Sequence, residues 1–303
     1  MPTRNRGILI GLASYTFWGI MPLFWKLLDG VDSLEILAHR LLWSAVFLVI
    51  INLVVNRQAL VKLLKERRAV LVLLGAGLIS LCNWGLYIVA ILSGHVLQTS
   101  MGYFINPLMN IVVGLLFFKE RLSPVQIVAV ALASLGVLYF TVDYGSFPWL
   151  SIGLAATFAS YGALKKFGAY PALPALAVET SLVSPLAIGY LGLAYYRFAP
   201  AFLAVDASGV LSSESLVTSL LLIAGGILTF TPLLLFARAV NDIPLSWMGF
   251  LQFVSPTISF LLSVFIFHEA FTLAHAVCFG LIWSGLLLIV LESLRKSHKK
   301  PET

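Results

Sequence analysis

Ten long apolar runs occupy most of this chain, and they constrain its fold more than any other feature. A helix of about 20 apolar residues crosses the hydrocarbon core of a bilayer and satisfies its own backbone hydrogen bonds there. The runs, taken between turn signals and charges, cover residues 7–26, 34–55, 69–91, 96–118, 124–142, 149–167, 175–196, 215–237, 245–267 and 272–292. They predict an all-α integral membrane protein with ten transmembrane helices.

The overall composition favours lipid over water as the solvent. Hydrophobic residues make up 60% of the 303-residue chain and charged residues 11%, whereas soluble domains carry about 25% charged residues. The first run follows Arg4 and Arg6 but lacks a small-residue cleavage site, so we interpret it as a span and not as a signal peptide. Cys82 and Cys278 both lie inside apolar runs. They indicate buried hydrophobes and predict no disulfide, metal site or cofactor.

The net charge of +6 is distributed unevenly over the predicted connections. With ten spans, sixteen of the nineteen lysines and arginines fall on the side of both chain ends: Arg4, Arg6, Arg57, Lys62, Lys65, Arg67, Arg68, Lys119, Arg121, Lys165, Lys166, Arg238, Arg295, Lys296, Lys299 and Lys300. The positive-inside rule therefore predicts that both termini are cytoplasmic, with residues 293–303 as a basic tail beside anionic headgroups. The charge predicts a lipid bilayer as partner and no nucleic acid.

The second half of the chain repeats the first. A shift of 149 residues superposes seven identical pairs, which are Leu86/Leu235, Ala90/Ala239, Phe104/Phe253, Pro107/Pro256, Phe118/Phe267, Glu120/Glu269 and Gly136/Gly285. Apolar helices also resemble one another by low complexity, but the thirteen residues between proline and glutamate recur in both copies. We therefore expect two five-helix repeats, at 1–142 and 149–292. Because five is odd, the copies would cross the membrane in opposite directions, as in many secondary transporters.

Five stretches carry a resemblance to a known family. They are WGIMPLFWK at 18–26, LEILAHRLLWS at 34–44, NWGLYIVA at 83–90, GHVLQTSMGYFINPL at 94–108 and GFLQFVSPT at 249–257. On these stretches the chain resembles the EamA branch of the drug/metabolite transporter superfamily and, within it, the RarD-like proteins. The resemblance implies a permease of two EamA repeats in the bacterial inner membrane. It also implies export of small metabolites, amino-acid-like solutes or drugs.

Three ionisable residues lie inside predicted spans, where a charge is costly and usually faces a cavity or a partner. His39 and Arg40 lie in the second span, and Glu179 lies in the seventh. Adjacent helical residues diverge by about 100°, so we expect Arg40 rather than His39 to face a central cavity. There Arg40 would attract an anionic group such as a carboxylate, and Glu179 would bind a cationic group or titrate with transport. Alternatively, each of them snorkels to an interface or caps a neighbouring helix.

The third predicted span adds three candidate substrate contacts. Asn83 and Tyr87 are four residues apart and share one helical face, with Trp84 beside them. Uncharged polar groups on an aromatic wall are typical of sites for small amphipathic solutes. The alternative is a hydrogen bond between helices, because amides often link spans.

The fourth and ninth predicted spans carry matching prolines among polar side chains. Tyr103 and Asn106 precede Pro107 in the fourth span, and Gln252 precedes Pro256 in the ninth. Proline removes a backbone donor and favours a kink or an irregular start. Paired proline-marked helices in two halves of a transporter point to a binding site, although a packing kink is an equal alternative.

Coupling to protons or other ions is a further hypothesis. His39, His95 and Glu179 are the candidate proton-linked residues, because histidine titrates near neutral pH and an intramembrane carboxylate can change its charge. His95 lies in the short connection between the third and fourth spans. A solvent-facing loop histidine is the alternative there.

The sequence argues against catalysis. The spans contain no HExxH, no GxSxG and no paired acids, so we predict no catalytic residues and no enzyme activity. No repeated charged ring or carbonyl-lined filter indicates an ion channel. A lipid or amphiphile flippase with the same fold remains the alternative to a carrier of small-molecule substrates.

Overall fold

The computed structural model describes residues 3–93, 95–197, 200–205, 211–268 and 272–298. Within these ranges the chain is almost entirely helical, which confirms the all-α prediction. The helices are α1 (Thr3–Trp25), α2 (Ser33–Val55), α3 (Arg57–Lys65), α4 (Arg67–Leu92), α5 (Val96–Phe118), α6 (Pro124–Tyr144), α7 (Trp149–Gly168), α8 (Ala172–Arg197), α9 (Ser213–Asp242), α10 (Leu245–Gln252), α11 (Val254–Phe265) and α12 (Leu273–His298).

Nine helical segments of the described chain are long and apolar enough to cross a membrane, judged by length and composition. The segment Leu245–Phe265 joins α10 and α11 into one of these nine. The remaining predicted span, 149–167, coincides with α7, which has 20 residues. Lys165, Lys166 and several small polar residues lower the hydropathy of α7. Its composition alone therefore does not mark it as a membrane span.

The short helix α3 occupies a stretch that the sequence prediction left as a connection. Leu60 and Leu63 are buried on one face, and Lys62 and Lys65 are exposed on the other. An amphipathic helix with a basic face is typical of the region between headgroups and acyl chains. The hydrophobic period was visible in the sequence, but the helix is too short and too polar to register as a span.

The ninth predicted span is broken, because α10 ends at Gln252 and α11 begins at Val254. Pro256 lies in the first turn of α11, where its missing N–H is tolerated and its ring prevents the previous helix from continuing. Pro107 behaves differently, since α5 runs through it from Val96 to Phe118 without a break. The two prolines were expected to mark similar irregularities. Only at Pro256 does the helix break.

Close helix crossings depend on glycines. A Cβ atom at Gly136 of α6 would lie 3.0 Å from the carbonyl oxygen of Cys278 on α12, and one at Gly285 of α12 would lie 3.0 Å from that of Ala129 on α6. These distances are shorter than van der Waals contact allows, so a side chain at either glycine would push the two helices apart. Gly136 and Gly285 are one of the pairs superposed by the 149-residue shift. The crossing thus uses two glycines that the 149-residue shift of the sequence superposes.

Candidate functional site

A cavity of about 610 Å³ lies in the centre of the helical bundle. Its described lining residues come from α1, α2, α4, α5, α7, α9, α10, α11 and α12, and none of them belongs to α6 or α8. At one end it reaches Asp29 and Gly30, which are exposed in the α1–α2 connection. A concave site of this size, with mostly apolar walls, fits a small organic molecule.

Seven of the eight residues predicted to bind substrate line this cavity. They are Arg40, Asn83, Trp84, Tyr87, Tyr103, Asn106 and Gln252. The eighth, Glu179, is not a lining residue. Residues from α2, α4, α5 and α10 therefore converge on one space. Their binding of a substrate stays a prediction.

Arg40 is held by contacts to its carbon and Nε atoms. Nε donates a hydrogen bond to Oγ1 of Thr229, at 2.8 Å. Cζ lies 4.3 Å from the ring centroid of Trp25 and 4.0 Å from that of Trp84. Aromatic faces attract a guanidinium but do not neutralise its charge. The charge thus remains available at the cavity surface.

Helix α2 is placed so that Arg40 meets α9. Asp32 caps the start of α2 by accepting hydrogen bonds from the amides of Leu34 and Glu35, both at 3.0 Å. Farther along, the Ser44 hydroxyl donates to the carbonyl oxygen of Gly226 at 2.9 Å. A Cβ atom at Gly226 would lie 2.5 Å from that of Trp43. The absence of a side chain at this glycine permits the close crossing of α2 and α9.

Tyr87 and Tyr103 line the cavity together with Arg40. Asn106 lies one turn after Tyr103, and its buried Oδ1 atom has no hydrogen-bond partner within the described residues. An unpaired buried carbonyl costs about 1–3 kcal/mol. It is therefore an unused acceptor on the cavity wall that a bound molecule could satisfy.

Two of the predicted amide residues also link helices. Nδ2 of Asn83 donates to the carbonyl oxygen of Leu154 at 2.8 Å and to Oγ1 of Thr157 at 2.7 Å, which ties α4 to α7. Oε1 of Gln252 accepts from Nδ2 of Asn110 at 2.5 Å, which ties α10 to α5. The helix-packing alternative therefore applies to these residues, although both side chains also face the cavity.

Glu179 forms a buried ion pair with Lys165 of α7. The exposed fraction is 2% for Glu179 and 7% for Lys165. The pair lies behind the cavity wall, since the Tyr161 ring lines the cavity and lies 5.4 Å from Nζ of Lys165. Arg40 and Glu179 do not pair with each other, because Glu179 is bound to Lys165 and Arg40 to Thr229. Contact between Glu179 and a substrate in the cavity would require rearrangement of this pair.

His39 faces away from the cavity, as the angular separation from Arg40 predicts. Its Nδ1 accepts a hydrogen bond from Nε1 of Trp43 at 3.2 Å, and its Nε2 lies 4.0 Å from Oε1 of Glu35. The Phe202 ring packs against the imidazole at 4.6 Å between centroids. His39 thus helps to hold the segment after α8 against α2. Its predicted proton-linked role stays a prediction, as does that of His95, which is exposed at the start of α5.

The prolines differ in their relation to the cavity. Pro256 lines it, and Pro107 does not. The carbonyl oxygen of Pro107 would lie 2.6 Å from a Cβ atom at Gly249, so α5 and α10 cross closely there. Their proposed part as kinks in the transport pathway stays a prediction.

Glu120 follows α5 and caps α10. Its carboxylate accepts hydrogen bonds from the amides of Leu245 at 2.7 Å and Ser246 at 2.8 Å, and lies 3.3 Å from Nζ of Lys166. Burial raises the pKa of Glu120, but these hydrogen bonds and the Lys166 charge outweigh it, so the pKa is lower than its ordinary value of 4.5. A negative charge at a helix N-terminus is stabilising. Glu120 therefore joins α5, α7 and α10.

The two ends of the cavity differ in their exposure to solvent and in the ion pairs that they carry. The exposed end carries the α1–α2 connection. The other, which we call the closed end, carries the Glu120–Lys166 contact, the Lys165–Glu179 pair and the ion pair between Arg6 and Asp242. Glu269, the sequence counterpart of Glu120, lies outside the described residues. The described residues contain no group of three or more histidines, cysteines or acids that could hold a metal ion.

The partners that define the site were not predicted from the sequence. Thr229 and Trp25 hold Arg40, and Lys165 pairs with Glu179. Lys165 lies one turn before the end of α7, inside a predicted span. Its position there was the one signal in the sequence for a partner of Glu179. No pattern indicated that Thr229 would face Arg40, because the two are 189 residues apart. The recurring proline-to-glutamate spacing marked Glu120 as special without indicating its role.

Comparisons with known proteins agree with these observations. A profile described as the EamA-like transporter family matches residues 5–142. The chain is 37% identical to "Uncharacterized transporter YojE" of Bacillus subtilis, over 97% of this chain and 98% of that protein. It is 37% identical to "Protein RarD" of Escherichia coli, over 96% and 95%. A crystal structure with 17% identity covers 95% of this chain and 98% of its own, with a TM-score of 0.72, and it supports the fold alone. The chain therefore belongs to the EamA-like transporter family, as a membrane transporter with RarD homologues.

Proposed function

We propose that this protein is a secondary transporter, working as an exporter, for small metabolites, amino-acid-like solutes or drugs in the bacterial inner membrane. The central cavity carries this proposal. It combines aromatic walls with two groups that have no partner among the described residues, namely an arginine without a carboxylate and a buried amide with an unused acceptor. These are the features of a binding site for an amphipathic solute within a membrane protein.

The proposed architecture has ten transmembrane helices in two inverted repeats, residues 1–142 and 149–292, followed by a basic tail at 293–303. Helix α7 would be the sixth span. It packs against α4, α5 and α9 inside the bundle and contributes Phe158 and Tyr161 to the cavity. A helix surrounded by other helices needs fewer apolar residues than a lipid-facing one, which accounts for the low hydropathy of α7.

The helix contacts support a pseudo-two-fold relation between the halves. The relation exchanges α1 with α7, α2 with α8, α4 with α9, α5 with the α10–α11 pair, and α6 with α12. The α1–α9 contact then corresponds to α7–α4, the α2–α9 contact to α8–α4, and the α1–α11 contact to α7–α5. The α2–α8, α5–α10 and α6–α12 contacts correspond to themselves. Chance similarity between apolar helices would not reproduce this pattern.

Side-chain contacts at the two ends support the same relation. Nζ of Lys166 lies 5.4 Å from the Phe118 ring at the closed end, and Nζ of Lys26 lies 4.5 Å from the Phe267 ring at the other. Phe118 and Phe267 are equivalent under the 149-residue shift. Lys26 and Lys166 occupy corresponding ends of the first helix in each half. Equivalent contacts at opposite ends are what an inverted repeat requires.

The proposed mechanism is alternating access, with both termini cytoplasmic as the distribution of lysine and arginine suggests. In this structure the closed end would face the cytoplasm and the cavity would face outward. Opening the closed end would separate Glu120 from α10 and Lys166. Because two packed halves can adopt two arrangements around one site, the same residues would serve both states.

Coupling to protons is proposed for the residues predicted to titrate. Glu179 is the strongest of them, because its ion pair lies behind the cavity wall at the closed end. A conformational change that separated Glu179 from Lys165 would leave a buried charge, which favours proton uptake. Flux in reconstituted vesicles, measured with and without an imposed pH gradient, tests this coupling in the wild type and in Glu179→Gln.

A matched pair of serine variants tests the transport function. Ser80 lines the cavity, and Ser134 is exposed on α6. Solutes that raise the thermal midpoint of the purified protein would first be selected from amino acids, nucleosides and amphiphilic drugs. Flux of these solutes in proteoliposomes should be lost in Ser80→Trp and kept in Ser134→Trp. Movement of a labelled phospholipid without any solute flux would instead favour the flippase alternative.

A further inference from the structure

The cavity surface carries a cation, and no anion among the described residues lies beside it. Among the described lining residues, Arg40 is the single lysine or arginine, and no described carboxylate lies within 4.0 Å of its guanidinium. Nε is bonded to Thr229, and Cζ is packed against Trp25 and Trp84. The two terminal Nη atoms have no protein acceptor within the described part of the chain. They are the donors that remain for a ligand.

The nearby acids are committed elsewhere or exposed to solvent. Glu35 accepts hydrogen bonds from the amides of Ala201 and Phe202, at 3.1 and 3.0 Å. Glu179 is paired with Lys165. Asp29 is the one acid among the described lining residues, and it is exposed at the cavity mouth. None of these groups neutralises Arg40, so an anionic ligand would complete the site.

We propose that the substrate is an organic monocarboxylate with a flat aromatic body and no free ammonium group. This inference rests on the proposed transport function and names the substrate class of the same cavity. The Nη atoms of Arg40 donate to the carboxylate. The body lies against aromatic side chains of the wall, such as Trp18, Tyr87 and Phe158. A substrate phenol or amide N–H can donate to the unused Oδ1 of Asn106.

The charged groups on the cavity wall favour a monocarboxylate over two related classes of ligand, phosphate esters and amino acids. A phosphate ester carries up to two negative charges, and sites for it usually supply several cationic or backbone donors, whereas this wall supplies one arginine. An amino acid also carries an ammonium group, which needs a negatively charged hydrogen-bond acceptor near Arg40. The exposed Asp29 at the mouth is the one carboxylate that the described wall offers. A single in-plane guanidinium edge matches one planar carboxylate.

The test compares binding of an acid and its neutral amide to the full-length protein in detergent. The probes are 3-phenylpropanoate, 3-phenylpropanamide and phenylalanine, measured by isothermal titration calorimetry at neutral pH. We expect the acid to bind at least about tenfold more tightly than the amide, since hydrogen bonds between charged groups are about twice as strong as neutral ones. Arg40→Gln should lose this preference. Arg57→Gln, which removes an exposed arginine on α3, should keep it.

Each result of this binding comparison either supports the proposed substrate class or overturns it. Equal binding of acid and amide by the wild type overturns the proposal, as does absence of binding of the acid to folded protein. Tighter binding of phenylalanine than of the acid overturns it in favour of a zwitterion. These results need no variant, so misfolding of Arg40→Gln does not obscure them. If another solute is still transported and blocked by Ser80→Trp, the transport function stands while the substrate class fails.

Discussion

Arg40 and Lys165 are two cations inside the same bundle, and their surroundings are opposite. Lys165 is buried and ion-paired with Glu179 behind the cavity wall. Arg40 lies on the cavity surface between two indole rings, with a threonine as its hydrogen-bond acceptor. The bundle is therefore able to provide a carboxylate to a buried cation. At Arg40 none of the described residues provides one.

The difference separates charges that hold helices together from a charge that is exposed to a ligand. Removing one member of a buried pair leaves an uncompensated charge, which is strongly destabilising. Removing Arg40 leaves no such charge, because nothing in the described chain depends on it for neutralisation. Loss of stability and loss of binding should consequently map to different residues. That separation can be tested at four places in the bundle, which differ in the size of the expected effect on stability.

The largest effect is expected at the buried pair. Lys165→Met alone should lower the free energy of unfolding by about 3–5 kcal/mol, because Glu179 would remain buried and unpaired. The double variant Lys165→Met/Glu179→Leu should recover most of this loss, since apolar groups of similar size can replace a buried pair. Thermal unfolding in detergent measures both. A single variant as stable as the wild type would show that water already reaches the pair.

Two adjacent glycines on α9 should differ in their tolerance of a side chain. A Cβ atom at Gly226 would lie 2.5 Å from Trp43, whereas one at Gly225 would lie 3.5 Å from Trp25. Gly226→Ala should therefore destabilise the protein by about 1–3 kcal/mol through overpacking, and Gly225→Ala should be nearly neutral. Unfolding midpoints of the two variants check this. Equal midpoints would mean that the α2–α9 crossing is looser than described.

Glu120 should contribute a stability that depends on pH. Its pKa is lower in the folded protein than its ordinary value of 4.5, so its contribution is full above that value and is lost as pH falls through the folded pKa. At pH 7, Glu120→Gln should be less stable than the wild type by about 1–2 kcal/mol. The difference should shrink as the pH is lowered from 5 to 3, for example in about half-unit steps. A constant difference across that range would contradict the assignment.

The smallest effect on stability is expected at Arg40. Arg40→Gln loses the contacts with the two indole rings and the bond to Thr229, but it also removes a partly buried charge that no described carboxylate neutralises. These terms oppose each other, and each is about 1–2 kcal/mol. The unfolding midpoint should stay close to that of Arg57→Gln. A drop as large as that of Lys165→Met would place Arg40 among the charges that hold the fold.

Much of this arrangement was predictable from the sequence because membrane burial imposes strong local patterns. Apolar runs located the helices, and the angle between His39 and Arg40 identified the side chain that faces the cavity. Contacts between distant helices were not predictable. Lys165 reaches Glu179 only because α7 packs beside α8, and Thr229 reaches Arg40 only because Gly226 lets α9 approach α2. Such pairings depend on packing geometry, which one sequence does not encode in any short motif.

The central claim is that Arg40 is the cation that receives the substrate, in a cavity through which the substrate moves. The most direct test is the initial rate of radiolabelled 3-phenylpropanoate uptake into proteoliposomes containing the wild type, Arg40→Gln or Arg57→Gln at equal reconstituted amounts. We predict rapid uptake by the wild type and Arg57→Gln, and a rate for Arg40→Gln that is no higher than in protein-free vesicles. Uptake by folded Arg40→Gln at the wild-type rate would contradict the account.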